Sequence, residues 1–229
     1  MPEPLQEPLQ DTWQQVDDYF GRLLTSSDPA LDAALQANRE AGLPAIDLTP
    51  LQGQFLHLLA RICGARRILE IGTLGGYSTL WLARALPPEG LIVTLELDPR
   101  HARIARTNLQ NACVLDRVDL RVGRAADTLR ALVDAGTEPF DLIFVDADKA
   151  SYADYLDWSL KLSRPGTVLV ADNVVRDGKV LDADTIDADI QGVRRFTERL
   201  AAEPRLCSTV LQTVGIKGYD GFAMAVVLK

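Results

Sequence analysis

A regular alternation of two residue patterns from Ala65 onward constrains the fold more than any other feature. Short β-branched runs alternate with longer segments whose apolar residues recur at helical spacing. Such alternation is typical of repeated βα units around a mainly parallel sheet, and it predicts a doubly wound α/β fold. The predicted strands are Arg66–Ile71, Leu91–Glu96, Arg117–Val122, Phe140–Val145 and Thr167–Ala171. The predicted helices between them are Gly76–Leu86, Pro99–Ala112, Ala125–Ala135 and Tyr152–Leu162.

The N-terminal part of the chain departs from this alternation. Helical patterns punctuated by proline or glycine precede the sheet, at Thr12–Thr25, Pro29–Ala41 and Pro50–Cys63. Residues 1–63 are therefore expected to form a helical cap, either a lid or an oligomer surface, within one domain that spans residues 1–229.

The C-terminal part predicts an antiparallel element. Two strand-like runs, Leu206–Val214 and Gly221–Leu228, are joined by a turn-rich connection that contains Gly218. A C-terminal antiparallel hairpin that closes a parallel sheet is not the plain dinucleotide-binding arrangement.

Composition narrows the partners and the compartment. The 229 residues, of which 47% are hydrophobic, suffice for one sizeable core. A net charge of −8 argues against nonspecific binding to nucleic acid or to an anionic membrane, so a small-molecule substrate is expected. No secretory signal and no membrane span is predicted. The widely spaced Cys63, Cys113 and Cys207 indicate reduced thiols in the cytoplasm, packed in the core, and the two histidines, His57 and His101, are interpreted as structural or surface residues.

A glycine-rich turn follows the first predicted strand. In Arg66–Ser78 a buried-strand pattern runs into Gly72, Gly75 and Gly76 and then into a helix. Because glycine has no side chain, such a turn lets a ligand approach the backbone, and the free N–H groups of the next helix suit a carboxylate or phosphate. A tight turn without a ligand is the alternative for this segment taken alone.

An acid at the end of the second strand favours a nucleoside ligand. Glu96 lies about 20 residues beyond the glycine turn, where a carboxylate can accept hydrogen bonds from ribose hydroxyls. The two signals fit a nicotinamide cofactor or S-adenosylmethionine, and the glycine spacing, which is not GxGxxG, favours the latter. Asp127, after the third strand, is either near an adenine edge or an acid at a helix N-terminus.

Oxygen-bearing side chains follow two further strands. Asp146 and Asp148 come after the Phe140–Val145 strand, and Asp172 and Asn173 come after Thr167–Ala171. Because the carboxyl ends of neighbouring parallel strands converge on one crevice, Asp146, Asp172 and Asn173 are expected to meet. Oxygen ligands without histidine or cysteine suit Mg²⁺, with Ca²⁺ or Mn²⁺ as alternatives. The competing interpretation is that these acids only cap helices or begin turns.

Lys149 follows Asp146 by three residues and can reach the same crevice. Lysines are usually solvated surface charges, but a lysine beside a cation can serve as a general base. A metal bound to a substrate hydroxyl would acidify the same proton.

Together these residues resemble the cation-dependent O-methyltransferases, the group that contains catechol O-methyltransferase and the caffeoyl-CoA O-methyltransferases. The resemblance runs from about Thr49 to Leu228. It rests on the segments Gln52–Leu56, Glu70–Ser78, Glu96, Val145–Lys149, Ala171–Asn173, Asp177–Val180 and Asp220–Gly221.

The resemblance implies a class I methyltransferase (Rossmann-like) fold, a homodimer, and methyl transfer from S-adenosylmethionine to a hydroxyl of a small aromatic acceptor, catechol-like or a phenylpropanoid or flavonoid. It implies a metal held by Asp146, Asp172 and Asn173, with Lys149 as the catalytic base. For the cofactor it implies Glu96 on the ribose and Ser78 on the methionine carboxylate. The other implied cofactor residues are Glu70 and Gly72 on the pocket wall, Ala126 and Asp148 near the adenosine, and Asp146.

The sequence departs from this family around the substrate. Many relatives carry a tryptophan near position 176, where this chain has Arg176. The acidic run from Asp182 to Asp189 would repel a polyanionic thioester if it faced the pocket, which would favour a free catechol, and it is otherwise a solvated helix start. A metal-independent small-molecule methyltransferase and, less favoured, a nicotinamide-dependent oxidoreductase stay open as alternative functions.

Overall fold

A computed structural model describes residues 7–25 and 28–228. The helices are α1 (Glu7–Leu24), α2 (Pro29–Glu40), α3 (Pro50–Ile62), α4 (Tyr77–Ala85), α5 (Pro99–Asn111), α6 (Ala125–Asp134), α7 (Tyr152–Lys161) and α8 (Ala188–Ala202). The strands are β1 (Arg67–Ile71), β2 (Leu91–Glu96), β3 (Val118–Val122), β4 (Leu142–Val145), β5 (Val168–Ala171), β6 (Leu206–Gly215) and β7 (Gly218–Val227).

The strands form one sheet in the order β3-β2-β1-β4-β5-β7-β6. The first five are parallel, and β7 and β6 are antiparallel, so the predicted doubly wound sheet with a C-terminal hairpin is confirmed. Strands β2 and β3 are added on one side of β1, and β4 and β5 are added on its other side. A ligand crevice forms at such a switch point, between β1 and β4. Ile71 pairs with Val145, and Val145 pairs with Ala171, so three strand ends lie level at this crevice.

Two apolar layers cover the sheet. Alternate strand residues point to opposite faces, as Ile68 and Leu69 do in β1. Helices α2 to α5 pack on the Ile68 face, and α6 to α8 pack on the Leu69 face. With both faces covered, the central strands are buried along almost their whole length, which explains their continuous apolar runs.

Helix α8 was not predicted, although the acidic run that precedes it was recognised as a possible helix start. Its interior contains Gly192, a residue that usually weakens a helix. A Cβ atom at Gly192 would lie 2.2 Å from the carbonyl oxygen of Lys149. The glycine therefore lets α8 pack directly against the backbone of the short 3₁₀ segment Lys149–Ser151.

The N-terminal helices occupy the place predicted for the cap, although residues 1–6, 26 and 27 of that prediction lie outside the described residues. Helix α3 begins with a capping box in which Thr49 and Gln52 exchange side-chain and backbone hydrogen bonds. Helix α1 contacts β6, and Gln10 donates to the backbone carbonyl of Gly215. In residues 7–25 and 28–228, no helix combines the length and apolar character needed to cross a membrane.

The interpretation of the cysteines as core residues is wrong for two of them. Cys63 packs partly against the core, whereas Cys113 and Cys207 are exposed, and all three are free thiols. Cys113 lies in the turn after α5 with φ of 56°, and Cys207 lies on the edge strand β6. Neither position is covered by another layer of the fold.

Candidate functional site

Two neighbouring cavities open at the carboxyl ends of the parallel strands. The large cavity, of about 950 Å³, is lined by the glycine turn, the ends of β2 and β4 and the start of α6. The small cavity, of about 660 Å³, is lined by the cap, the ends of β4 and β5 and the C-terminal hairpin. Asp47, Asp146, Asn173 and Arg176 contribute to both walls, so ligands in the two cavities would lie side by side.

The glycine turn is shaped by protein contacts. A Cβ atom at Gly72, whose φ is 100°, would lie 1.9 Å from the main-chain oxygen of Asp146, and one at Gly75 would lie 1.9 Å from Oδ1 of Asn38. Protein atoms thus fill the space that the sequence suggested was open for a ligand. Gly72 still lines the large cavity, and α4, capped by Gly76 without a side-chain hydrogen bond, starts its first turn there with free N–H groups.

Glu96 lies in the wall of the large cavity and holds the glycine turn in place. One carboxylate oxygen accepts hydrogen bonds from the backbone N–H groups of Leu74 (2.8 Å) and Thr73 (3.3 Å), and the other accepts from that of Asp98 (2.8 Å). His101 Nδ1 lies 3.5 Å from the same carboxylate and also lines the cavity. The interpretation of His101 as a structural or surface residue did not anticipate this place beside the predicted ribose-binding residue.

Glu70 was expected on the cavity wall, but the structure encloses it completely one layer behind. The hydroxyls of Ser78 (2.6 Å), Thr79 (2.5 Å) and Thr94 (2.6 Å) donate to its carboxylate. Burial raises the pKa of Glu70 to about 7, against the opposing effect of these hydroxyls. Because Ser78 gives its one proton to Glu70, it offers the cavity a lone pair, which suits an ammonium group better than a carboxylate.

The large cavity is also lined by Ala126 and Asp148, the two residues implied to lie near an adenosine. Asp148 accepts a hydrogen bond of 2.5 Å from the Tyr155 hydroxyl. Asp127 lies in the first turn of α6 beyond the cavity wall, which favours its interpretation as an acid at a helix N-terminus.

Asp146, Asp172 and Asn173 line the small cavity together, as the convergence of strand ends predicted. Asp172 is 7% exposed, and burial together with the negative charge of Asp146 raises its pKa to about 7. One of its oxygens accepts a hydrogen bond of 2.8 Å from the N–H of Asn173. Within the described ranges, no three His, Cys, Asp or Glu side chains form a metal-binding group, and the oxygen donors that Asp146 and Asp172 have beside them in this cavity include the Asn173 amide.

Lys149 is buried beside these acids. Its ammonium donates to Asp146 Oδ1 (2.8 Å) and to the Tyr152 hydroxyl (2.7 Å). That hydroxyl lies within hydrogen-bond distance of the main-chain oxygens of Val145 (3.1 Å) and Asp172 (3.0 Å). Lys149 therefore lies in the wall of the large cavity beside Asp146, which lines both cavities, and its ammonium has one further N–H available.

A strained loop follows the predicted metal ligands. Asn173, Arg176 and Asp177 have φ of 57°, 56° and 55°, a region that costs non-glycine residues energy. The Asp220 carboxylate on β7 holds the loop by accepting from the N–H groups of Val175 (3.0 Å) and Arg176 (2.9 Å). The hairpin thus fixes the direction in which Arg176 leaves the backbone.

The other wall of the small cavity combines aromatic and polar groups. The rings of Phe55 and Phe222 lie with centroids 4.9 Å apart and form an apolar surface. Lys217, in the turn between β6 and β7, donates to the main-chain oxygen of Asp47. The Asp47 carboxylate accepts from Asn38 (2.7 Å), so the cap and the hairpin are joined over the cavity.

Asn38 also ties the cap to the glycine turn. The buried Asn108 side chain on α5 donates to Asn38 Oδ1 (3.0 Å) and to the main-chain oxygen of Gly75 (2.9 Å). A continuous chain of hydrogen bonds therefore runs from the turn through Asn38 to Asp47.

The acidic residues after position 181 were expected either to face the pocket or to form a solvated helix start, and the structure shows some of each. Asp182 and Asp184 are exposed, and Asp187 caps α8 by accepting from Asp189 and Ile190 N–H groups. Asp189 alone reaches the wall of the large cavity. Most of the run is therefore a solvated helix start.

Comparison with known proteins places these features in a family. Residues 26–225 match the family model described as O-methyltransferase. A relative described as catechol O-methyltransferase, from Niastella koreensis, is 52% identical over 215 residues, which is 94% of this chain and 97% of the relative.

Two solved structures are similar over nearly the whole chain. The O-methyltransferase from Bacillus cereus in complex with SAH has 56% identity and a TM-score of 0.94, covering 95% of this chain and 99% of that one. TomG from Streptomyces achromogenes, an O-methyltransferase involved in tomaymycin synthesis and solved with SAM, has 52% identity and a TM-score of 0.94, covering 98% and 100%. The class of fold implied by the sequence resemblance is confirmed.

Proposed function

Because the chain belongs to the O-methyltransferase family, we propose that it is an enzyme that uses S-adenosylmethionine and a divalent cation to methylate a hydroxyl of a small catechol-like aromatic acceptor. The observation that carries this proposal is that buried Asp172 and partly buried Asp146 line one cavity of ligand size, while Asp146 also lines the neighbouring one. One cavity would take the cofactor and the other the acceptor. The hydroxyl to be methylated would lie between them, beside Lys149.

The large cavity suits S-adenosylmethionine. The Glu96 carboxylate accepts three backbone hydrogen bonds, which leaves one lone pair for a ribose hydroxyl, and Ala126 and Asp148, which line the same cavity, would contact the adenosine. For the methionine end, Ser78 and Asp146 are acceptors for the ammonium group, and the first turn of α4 offers N–H groups to the carboxylate. When bound, S-adenosylmethionine supplies the methyl group as an electrophile on sulfonium sulfur.

The acidic pair fits a hard cation such as Mg²⁺. Lys149 neutralises Asp146, but Asp172 has no cationic partner within salt-bridge distance in the described part of the chain. This surplus negative charge in a buried place, together with the Asn173 amide, provides the oxygen donors that Mg²⁺, Mn²⁺ or Ca²⁺ prefers. When bound, the cation would bring two adjacent acceptor oxygens to the site and make their protons more acidic.

Lys149 would accept the proton from the hydroxyl that is methylated. To do so Lys149 must first be a neutral amine, and the ammonium formed by proton uptake would then donate to Asp146 and to the Tyr152 hydroxyl. The apolar surface of Phe55 and Phe222 would hold the aromatic ring and keep water from the reacting oxygen. Positioning and charge stabilisation would provide most of the rate.

We also propose that the protein forms a homodimer. Helix α1 presents an apolar row to solvent, in which Val16, Tyr19, Leu23 and Leu24 are 47%, 54%, 63% and 66% exposed. The edge strand β6, which α1 contacts, is exposed along most of its length. A second copy that covers α1 and β6 would bury an apolar patch and an open sheet edge at once.

The test is transfer of labelled methyl from S-adenosylmethionine to catechol, with Mg²⁺ and with excess chelator. We expect transfer that requires Mg²⁺, and we expect the Asp172→Asn variant to lose at least about 100-fold of it. Asp184→Asn, an exposed acid outside both cavities, is the matched control and should keep it. Transfer that survives chelation would support the metal-independent alternative. Failure of S-adenosylmethionine to bind, with NAD binding instead, would support an oxidoreductase.

A further inference from the structure

Arg176 brings to the acceptor cavity a positive charge whose one ion pair with the described part of the protein, to Asp189, is long. Its Nε atom is buried and has no hydrogen-bond partner among the residues that the structure describes. Its Nη2 atom lies 4.0 Å from Asp189 Oδ2, beyond hydrogen-bond distance. Because a buried donor without a partner costs free energy, the arginine is better explained by a ligand that accepts from it.

The acids of the same cavity, in contrast, already have protein donors. Asp17 accepts from the N–H of Ile216 (2.8 Å), and Asp47 accepts from Asn38 (2.7 Å). Asp220 accepts from three backbone N–H groups, including those that hold the strained loop. These carboxylates therefore stabilise the loop, the cap and the hairpin, and they are not available to bind a cationic substrate.

Lys217 provides a second cation on a different element of the same cavity wall. Although its side chain is largely exposed, partial burial of its ammonium group lowers its pKa, against the attraction of Asp47, Asp146 and Asp172. Its one hydrogen bond to the main-chain oxygen of Asp47 leaves two N–H donors. An anion in the cavity would face donors from both the loop after β5 and the hairpin turn.

We propose that the acceptor carries a carboxylate on its aromatic ring, which Arg176 binds and Lys217 approaches while the two hydroxyls lie at Asp146 and Asp172. This inference rests on the proposed function and names the substrate class within it. The guanidinium group of Arg176 can donate two parallel hydrogen bonds to the two oxygens of a planar carboxylate. A ligand that carries an ammonium or an uncharged group in place of the carboxylate does not offer this pair of oxygens. The strained backbone at Arg176, held by Asp220, fixes the direction in which this side chain leaves the main chain.

The experiment compares three acceptors that differ only in the group opposite the hydroxyls: 3,4-dihydroxybenzoate, catechol and dopamine. We expect kcat/KM to be highest for 3,4-dihydroxybenzoate and at least about 10-fold lower for dopamine. Arg176→Met should lower kcat/KM for 3,4-dihydroxybenzoate by about 10- to 100-fold and should lower kcat/KM for catechol much less. Arg176→Lys should retain part of the preference for 3,4-dihydroxybenzoate over catechol. Arg130→Met, an exposed arginine on α6 outside both cavities, is the matched control.

A binding measurement separates this inference from the proposed function. Calorimetric titration of 3,4-dihydroxybenzoate into the protein holding SAH and Mg²⁺ should show binding that Arg176→Met weakens by a similar factor. Such binding without methyl transfer to any acceptor would support the carboxylate site and overturn the proposed activity. Equal losses for catechol and 3,4-dihydroxybenzoate, a preference for dopamine, or 3,4-dihydroxybenzoate binding that does not depend on Arg176 would overturn the carboxylate site.

Discussion

Replacing Glu70 with glutamine should stabilise the protein at high pH, although it removes a buried hydrogen-bonded carboxylate. In the unfolded chain Glu70 loses its proton near pH 4.5, whereas burial raises its pKa in the folded protein to about 7. Between these values the folded state binds more protons than the unfolded state, so the stability that Glu70 contributes is complete below pH 4.5 and is lost as pH rises through 7. The difference corresponds to about 3 kcal/mol.

The measurement is urea unfolding of the wild type and the Glu70→Gln variant from pH 5 to pH 8.5. Relative to the wild type, the variant should gain about 2.5 kcal/mol over this range, because it cannot ionise and part of the total is already lost at pH 5. In melting temperature the gain is roughly 5 to 10 °C for a chain of this size. Asp172, whose pKa is also raised to about 7, titrates in both proteins and cancels in the comparison.

Glu89→Gln is the control, since Glu89 has a largely exposed side chain and should show no such trend. If the difference between the wild type and Glu70→Gln stays constant within about 0.5 kcal/mol from pH 5 to pH 8.5, the reasoning about the buried carboxyl is refuted.

Three further changes test the site. Gly72→Ala should lower the free energy of unfolding by about 3 kcal/mol or more, because the added Cβ would overlap the Asp146 backbone. Gly136→Ala, where the Cβ would enter open space at φ of 63°, should lower it by about 1 kcal/mol. Similar losses for the two variants in urea unfolding would contradict this reasoning. Lys149→Gln should lower kcat by about 10²- to 10⁴-fold while KM for S-adenosylmethionine changes little, and a near-normal kcat in steady-state assays would exclude it as the base. Glu96→Gln should weaken S-adenosylmethionine binding about 10-fold by calorimetry, and an unchanged Kd would remove the ribose assignment.

The sheet was predictable because its central strands are buried on both faces. Continuous apolar runs such as Leu142–Val145 can be recognised in the sequence without knowledge of their neighbours. Helix α8 was missed because its Gly192 is explained only by contact with the Lys149 backbone, 43 residues away in the chain. A close approach of this kind leaves no local pattern.

The residues of the site likewise include some that could be predicted from the sequence and some that could not. Asp146, Asp172 and Asn173 could be placed together because strand order alone brings the ends of β4 and β5 to one crevice. The orientation of Arg176 depends on a carboxylate at position 220, at the far end of the chain, so the sequence showed only that the residue is unusual for the family. The enclosure of Glu70 likewise depends on hydroxyls from both α4 and β2.

The chain of hydrogen bonds through Asn38 has a consequence for protein engineering. The cap shapes the acceptor cavity, so exchanging its residues between relatives is an obvious way to alter acceptor choice. However, Asn38 fills the space beside Gly75 and shares its amide oxygen with Asn108, which belong to the cofactor side of the molecule. A graft that ends at the cap would leave Asn108 facing a foreign partner, so a successful chimera must transfer Asn38, Asp47 and Asn108 as one module.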